Sequence, residues 1–152
     1  MQIETLRDVL HWTQIFHSQL QECLAHCSET SEDERAKLLL VYLSDHENKL
    51  IKVLDRFEET ASLNALNTWC YEYIIKHPVQ RHQHCESNFS DMNSTEVSTE
   101  ISNLHEQVID LYRHILDRAT SESSRELLSD LLDIETHMAM QATQNANRLN
   151  EL

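Results

Sequence analysis

Residues 36–57 read AKLLLVYLSDHENKLIKVLDRF, and this stretch decides the fold. Its apolar residues recur at alternating intervals of four and three, so they lie along one side of an α-helix. Glu47 stands in the middle of that side. The stripe consists of Ala36, Leu40, Leu43, Glu47, Leu50, Leu54 and Phe57. We therefore expect a long amphipathic helix that carries one carboxylate into a core.

Three further long amphipathic segments accompany this helix. We predict long helices over about 3–28, 31–59, 95–119 and 122–149, the second starting at a capping box of Ser31 and Glu34. A shorter helix is expected over about 62–76, followed by a polar loop over 77–94. Because the first and third turns are short, the helices pair as antiparallel hairpins. The prediction is a single all-α domain, 1–152, an antiparallel four-helix bundle with hairpins 3–59 and 95–149 and a crossover 60–94.

The composition excludes several classes of protein. The chain contains no glycine, and its single proline is Pro78. Phosphate-binding loops and dinucleotide fingerprints require glycine, and without it the tight hairpin turns of β-sheets would have to use asparagine or aspartate. The composition therefore favours helices joined by short polar turns.

The charge balance predicts which partners the chain avoids. Its formal net charge is −14, so nucleic acid and anionic membrane surfaces should be repelled. The sequence has no apolar run of membrane-spanning length and no signal-peptide pattern at its start. Four irregularly spaced cysteines without such a signal predict reduced thiols. These observations together predict a soluble cytoplasmic protein without nucleic-acid or membrane partners.

Each of the four long helices carries one ionisable residue on its apolar side. Projection at 100° per residue places His17 and His105 on the apolar sides of the first and third helices. Glu135 interrupts the stripe of the fourth helix, as Glu47 does in the second. We therefore expect these four side chains to face the interior of the bundle.

An internal repeat relates the four residues. An offset of 88 maps His17 onto His105 and Glu47 onto Glu135, and both copies separate His from Glu by 30 residues. Other pairs with this offset are Val9 and Val97, Leu39 and Leu127, Leu40 and Leu128, Leu43 and Leu131, and Asp45 and Asp133. The chain is therefore predicted to be two copies of one helical hairpin, arranged with pseudo-two-fold symmetry.

Two short stretches resemble a known family. Residues 43–50 read LSDHENKL and residues 131–138 read LLDIETHM. Both are similar to the second-helix motif of rubrerythrin-type members of the ferritin-like superfamily, in which Leu-Ala-x-x precedes Glu-x-x-His. The motif's Glu corresponds to Glu47 and Glu135. The resemblance covers the four long helices and implies a ferritin-like bundle with a crossover connection and a metal site in its core.

The chain departs from this pattern at several positions. Leu50 and Met138 stand where the motif has His, and His17 and His105 stand where the first helices of the family carry Glu. Tyr112 matches the family's tyrosine seven residues after that position. The resemblance therefore implies a degenerate di-metal site in which Tyr112 lies beside the ligands.

Two imidazoles and two carboxylates suit iron, manganese or zinc. The candidate ligands are His17, Glu47, His105 and Glu135, with His46 as an additional candidate. They could hold one metal ion, or two with water completing the coordination. The alternative is that the histidines and glutamates form metal-free hydrogen-bonded pairs that satisfy buried charge and fix the helix register.

Two function hypotheses follow from these alternatives. The first is a ferritin-like metalloprotein with chemistry on oxygen or peroxide. The second is a metal-free, non-catalytic ferritin-like bundle that acts as an interaction or regulatory module. The aromatic cluster at 69–73 is expected to pack the crossover over the bundle or to form a homodimer interface, where Trp and Tyr are enriched. The His- and Cys-containing run at 77–85 is expected to be a solvated loop.

Overall fold

The computed structural model of the chain describes residues 3–70 and 88–151. These ranges are helical and contain no β-strand, which confirms the all-α prediction for the described part of the chain. The long helices are α1 (Leu6–Thr30), α2 (Glu34–Thr60), α4 (Ser94–Arg118) and α5 (Glu122–Asn150). A single-turn helix, α3 (Leu63–Leu66), follows α2, and a 3-10 turn at Phe89–Asp91 precedes α4.

Side-chain caps fix where the long helices begin. Thr5 and Asp8 form a capping box at α1, and Asn93 and Glu96 form another at α4. At α2 the capping residue is Asp33, whose carboxylate accepts a hydrogen bond from the backbone N–H of Ala36 at 3.0 Å. The predicted start at Ser31 is therefore wrong by two residues, because the Asp33 carboxylate caps the first turn.

The helix ends explain how the chain manages without glycine. Ser31, Ala61 and Ala119 follow the ends of α1, α2 and α4 with φ angles of −67°, −71° and −70°. Each helix therefore ends in extended backbone, which any residue adopts, rather than in the left-handed conformation that favours glycine. A chain of helices joined by such turns has no need of that residue.

The long helices share one core. Residues 31–33 join α1 to α2 and residues 119–121 join α4 to α5, and each pair packs along its length. The helix α2 also contacts both α4 and α5. Fully buried apolar side chains come from every long helix, among them Leu10, Phe16, Leu20, Leu24, Leu40, Leu50, Leu54, Val97, Val108, Tyr112 and Leu128.

The two halves of the internal repeat have matching burial. Leu40 and its counterpart Leu128 are both fully buried, and Asp45 and Asp133 are both exposed. The other apolar pairs of the repeat, Val9 with Val97, Leu39 with Leu127 and Leu43 with Leu131, are also buried in both copies. The 88-residue offset therefore relates positions with equivalent environments.

The start of the crossover is fastened to the start of α1. The backbone N–H of Leu6 donates to the carbonyl of Thr68 at 3.0 Å, and the N–H of Cys70 donates to the carbonyl of Glu4 at 2.7 Å. The helix predicted over 62–76 is shorter within the described residues, because α3 ends at Leu66 and the chain then pairs with α1. Residues 71–76 lie outside the described part, as do the polar run at 77–85 and the tyrosines of the aromatic cluster.

Three further sequence predictions concern membrane spans, the oxidation state of the cysteines and dimerisation. Among the described residues, no helix combines the length and apolarity needed to cross a membrane. Cys27 and Cys70 carry reduced thiols, whereas Cys23 is disulfide-bonded, so the expectation that all thiols are reduced does not hold in this structure. Trp69 is 60% exposed, and a homodimer formed through the crossover aromatics stays a prediction.

Candidate functional site

His17 lies between two carboxylates in the centre of the bundle. Its Nδ1–H donates to Oε2 of Glu47 at 2.6 Å, and its Nε2–H donates to Oε1 of Glu135 at 2.8 Å. The two carboxylates come from α2 and α5, so the imidazole of α1 connects both hairpins. Both nitrogens donate at once only in the charged imidazolium form, which is the form that two ionised carboxylates call for.

His105 completes the cluster from α4. Its Nε2–H donates to Oε1 of Glu47 at 2.6 Å, so Glu47 accepts one hydrogen bond on each oxygen. The side chains of the four residues are between 0% and 3% exposed. The structure therefore brings all four predicted residues together, one from each long helix.

The pairing departs from the symmetry of the repeat. His17 contacts the glutamates of both copies, whereas His105 contacts Glu47 of the other copy. No hydrogen bond between His105 and Glu135 is found among the described side chains. The expected pair within the first copy, His17 with Glu47, is therefore present. In the second copy, His105 and Glu135 each contact a residue of the first copy instead of each other.

Burial and charge act in opposite directions on the cluster. Burial by itself lowers the pKa of His17, but the charges of Glu135 and Glu47 and their hydrogen bonds outweigh it and raise this pKa from 6.5 to about 10. Burial likewise raises the pKa of Glu47, but His17 and His105 hold it well below its ordinary value of 4.5. In the metal-free state, both shifts favour an imidazolium hydrogen-bonded to carboxylate at the centre of the bundle.

Three of the four residues present ligand atoms to a common point. One ligand atom each from His17, Glu47 and His105 lies within 4.8 Å of the other two, and all three residues are buried. Glu135 does not belong to this group but contacts the imidazole of His17. The arrangement can hold one metal ion on two imidazoles and a carboxylate, with a second carboxylate behind one of the imidazoles.

One oxygen of the cluster has no partner. Glu135 Oε2 is buried and accepts no hydrogen bond from any residue in the described ranges. Buried carboxylate oxygens are usually satisfied by protein groups or by bound water or ions. Within the described residues, protein contacts therefore leave this buried carboxylate oxygen of the cluster unsatisfied.

The two residues predicted to accompany the ligands have other partners. His46 is buried, but its Nε2–H donates to the backbone carbonyl of Met138 at 2.8 Å, and burial lowers its pKa. Tyr112 donates to Oγ1 of Thr13 at 2.8 Å. Burial and the charge of Glu135 raise the pKa of Tyr112, so the tyrosine lies within electrostatic range of the cluster without a hydrogen bond to it.

The positions of the missing motif histidines are apolar in the structure as well. Leu50 is fully buried in the core, and Met138 packs against that core. Neither offers a ligand for a second metal ion, so the cluster described above does not contain the four carboxylates and two histidines of a standard di-metal site.

Comparisons with known proteins add no identification to this geometry. No protein-family model, curated protein or solved structure matches the chain, so the function must be inferred from the site itself.

Proposed function

We propose that the chain is a metal-binding helical bundle whose site holds one divalent transition-metal ion on His17, Glu47 and His105. The observation that supports this proposal most strongly is that these ligand atoms converge from three different helices. Buried ionisable side chains are costly unless they are paired or coordinate a metal ion, and these three approach within 4.8 Å of one another in a buried place.

The donor set fits such an ion. Two imidazoles and one carboxylate form the donor set of non-haem Fe(II) oxygenases and of His₂Glu zinc sites. A ligating histidine commonly donates its other ring N–H to a carboxylate, which orients the ring. The contact of His17 Nε2 with Glu135 supplies that feature. Iron is therefore our first candidate, followed by manganese and zinc.

The chemistry depends on the positions that the protein leaves open. Three protein ligands leave coordination sites for water or substrate, which distinguishes reactive from purely structural sites. Iron bound there would supply redox chemistry on oxygen or peroxide. The surrounding residues exclude bulk water from the cluster, and Glu135 Oε2 offers a free acceptor beside it.

We also propose that the bundle is ferritin-like, with the usual di-metal site reduced to a single one. The equivalent burial of the two repeat halves supports a duplicated hairpin. The substitution of both motif histidines by Leu50 and Met138 supports the loss of the second site.

A metal-free polar core is the second candidate, and one observation favours it. The N···O separations within the cluster are 2.6–2.8 Å, which are hydrogen-bond distances. Two ligand atoms on one tetrahedral ion are about 3.4 Å apart. Binding therefore requires that His17 and Glu47 separate and that the imidazole lose a proton. If no metal binds, the cluster is a metal-free core of a non-catalytic bundle.

The test is metal titration of protein purified without a histidine tag and stripped with a chelator. We expect one equivalent of Fe²⁺, Mn²⁺ or Zn²⁺ to bind to the wild-type protein. His105→Ala should weaken binding about 100-fold or more, because it removes one of three ligands. The matched control is His26→Ala, an exposed histidine of α1, which should leave the affinity unchanged. Equal affinities of these two variants would exclude the proposed ligand set.

A second substitution separates a ligand from a residue that orients a ligand. Glu135→Gln should weaken metal binding about 10- to 100-fold and leave the stoichiometry at one, because the amide still reaches His17 but no longer carries the charge. The measurement is the same titration, with circular dichroism as a control for folding. Complete loss of binding would instead place Glu135 among the ligands, and an unchanged affinity would remove it from the site.

A further inference from the structure

We propose that the groove between α4 and α5 beside His105 is the route by which a hydrated divalent cation reaches the buried cluster from solution. This inference rests on the proposed metal site. It concerns how the ion reaches the site, which the positions of the ligands do not show.

The groove lies at the level of the cluster. It has a volume of about 360 Å³ and is lined by residues of both helices, His105 among them. Ile109 lies one turn after His105 on α4, and Ala139 lies one turn after Glu135 on α5, and both line the groove. The groove therefore runs along the contact between α4 and α5 at the same level as the cluster.

His105 connects the groove to the interior. Its side chain is 3% exposed, more than that of His17 or either glutamate, and its Nε2–H reaches Glu47 at 2.6 Å. His105 therefore lines the groove while its Nε2 lies in the cluster. In the proposed route, rotation of this one side chain lets an ion pass from the groove to the cluster.

The groove is lined mainly by apolar surface, but four oxygen-bearing side chains stand along it. Ser102, Glu106, Thr136 and Gln144 supply hydroxyl, carboxylate and amide oxygens along its walls. Such oxygens can replace water around a divalent cation as it loses its hydration shell. The formal net charge of −14 also raises the local concentration of cations at the surface.

The experiment measures the rate of Co²⁺ loading, followed by visible absorption after stopped-flow mixing with the metal-free protein. Ala139→Trp places an indole in the groove and should slow both loading and release roughly tenfold. Because an obstructed route changes both rates by the same factor, the equilibrium affinity should stay within about twofold of wild type. Ser102→Trp obstructs the opposite wall of the groove. Because Ser102 is exposed, this second variant tests the same route if Ala139→Trp fails to fold.

The control is Ser129→Trp, an exposed position of α5 that lines a separate surface cavity near the turn between α4 and α5. Its loading rate should equal that of the wild type. If the wild-type protein binds Co²⁺ but both groove variants load at its rate, the route is overturned and the metal site stands. If the wild-type protein binds no Co²⁺, the metal site and the route are overturned together.

Discussion

Glu47→Leu is expected to lower the free energy of unfolding of the metal-free protein by about 3–5 kcal/mol. Glu47 accepts hydrogen bonds from His17 and His105 while buried on every side. Its loss leaves two buried imidazoles without that acceptor, and the cost of burying unpaired polar groups exceeds the gain from added apolar volume. Urea unfolding in the presence of a chelator, followed by circular dichroism, measures the change.

The matched control is Glu59→Leu on the same helix. Glu59 is exposed near the end of α2, so its replacement should change the free energy of unfolding by less than about 0.5 kcal/mol. A loss below about 1 kcal/mol for Glu47→Leu would show that Glu47 does not carry the charge balance of the cluster.

A variant in which all four residues of the cluster are replaced separates a role in function from a role in stability. Leucine at His17, Glu47, His105 and Glu135 together removes every charge of the cluster, and such replacements are often neutral or stabilising by about 1–4 kcal/mol. We expect the quadruple variant to be at least as stable as the wild type. That result would mean that stability does not require the polar centre. A binding role would then explain why the chain has these four residues.

The helical architecture could be predicted because the sequence determines it locally. The stripe around Glu47 repeats at helical spacing, and the absence of glycine disfavours most alternatives. Helix starts were less certain, because Ser31 and Asp33 both offer a capping side chain and only the geometry of the turn selects Asp33. The pairing of the segment after α3 with α1 depends on contacts more than 60 residues apart along the chain, which no local pattern reports.

The residues that form the site could also be predicted from the sequence, but the hydrogen bonds between them could not. The repeat and the helical projection identify His17, Glu47, His105 and Glu135 as inward-facing residues. They do not show that His17 contacts glutamates of both hairpins, because this depends on how the hairpins pack. Nor could the sequence distinguish His46, which is also buried but turns its ring towards the backbone of Met138.

The metal-free protein is expected to lose stability as the pH rises above 6.5. Glu47 of α2 and Glu135 of α5 hydrogen-bond His17, and His105 of α4 lies beside it. The pKa of His17 is raised from 6.5 in the unfolded chain to about 10 in the folded protein. The folded state therefore binds more protons between these values, so the contribution of His17 is complete below pH 6.5 and is lost as the pH approaches 10.

Other groups limit the pH range in which this effect can be measured. The depressed pKa of Glu47 contributes stability above pH 4.5 that is lost on acidification, and the lowered pKa of His46 acts only below 6.5. Burial raises the pKa values of Cys27 and Cys70 above 9.0, so their effects begin near that pH. Between pH 6.5 and 8.5 the slope therefore reports mainly on His17.

Urea unfolding with a chelator at pH 6.5, 7.5 and 8.5 measures this slope. One proton corresponds to about 1.4 kcal/mol per pH unit, so we expect a loss of about 2–3 kcal/mol across the range. His17→Gln keeps a polar side chain that cannot ionise and should abolish this loss, whereas the exposed His26→Ala should keep it. A wild-type stability that stays constant over this range would mean that His17 is neutral in the folded protein. It would then donate only one of its two hydrogen bonds, and a proton on a neighbouring carboxyl group would complete the other.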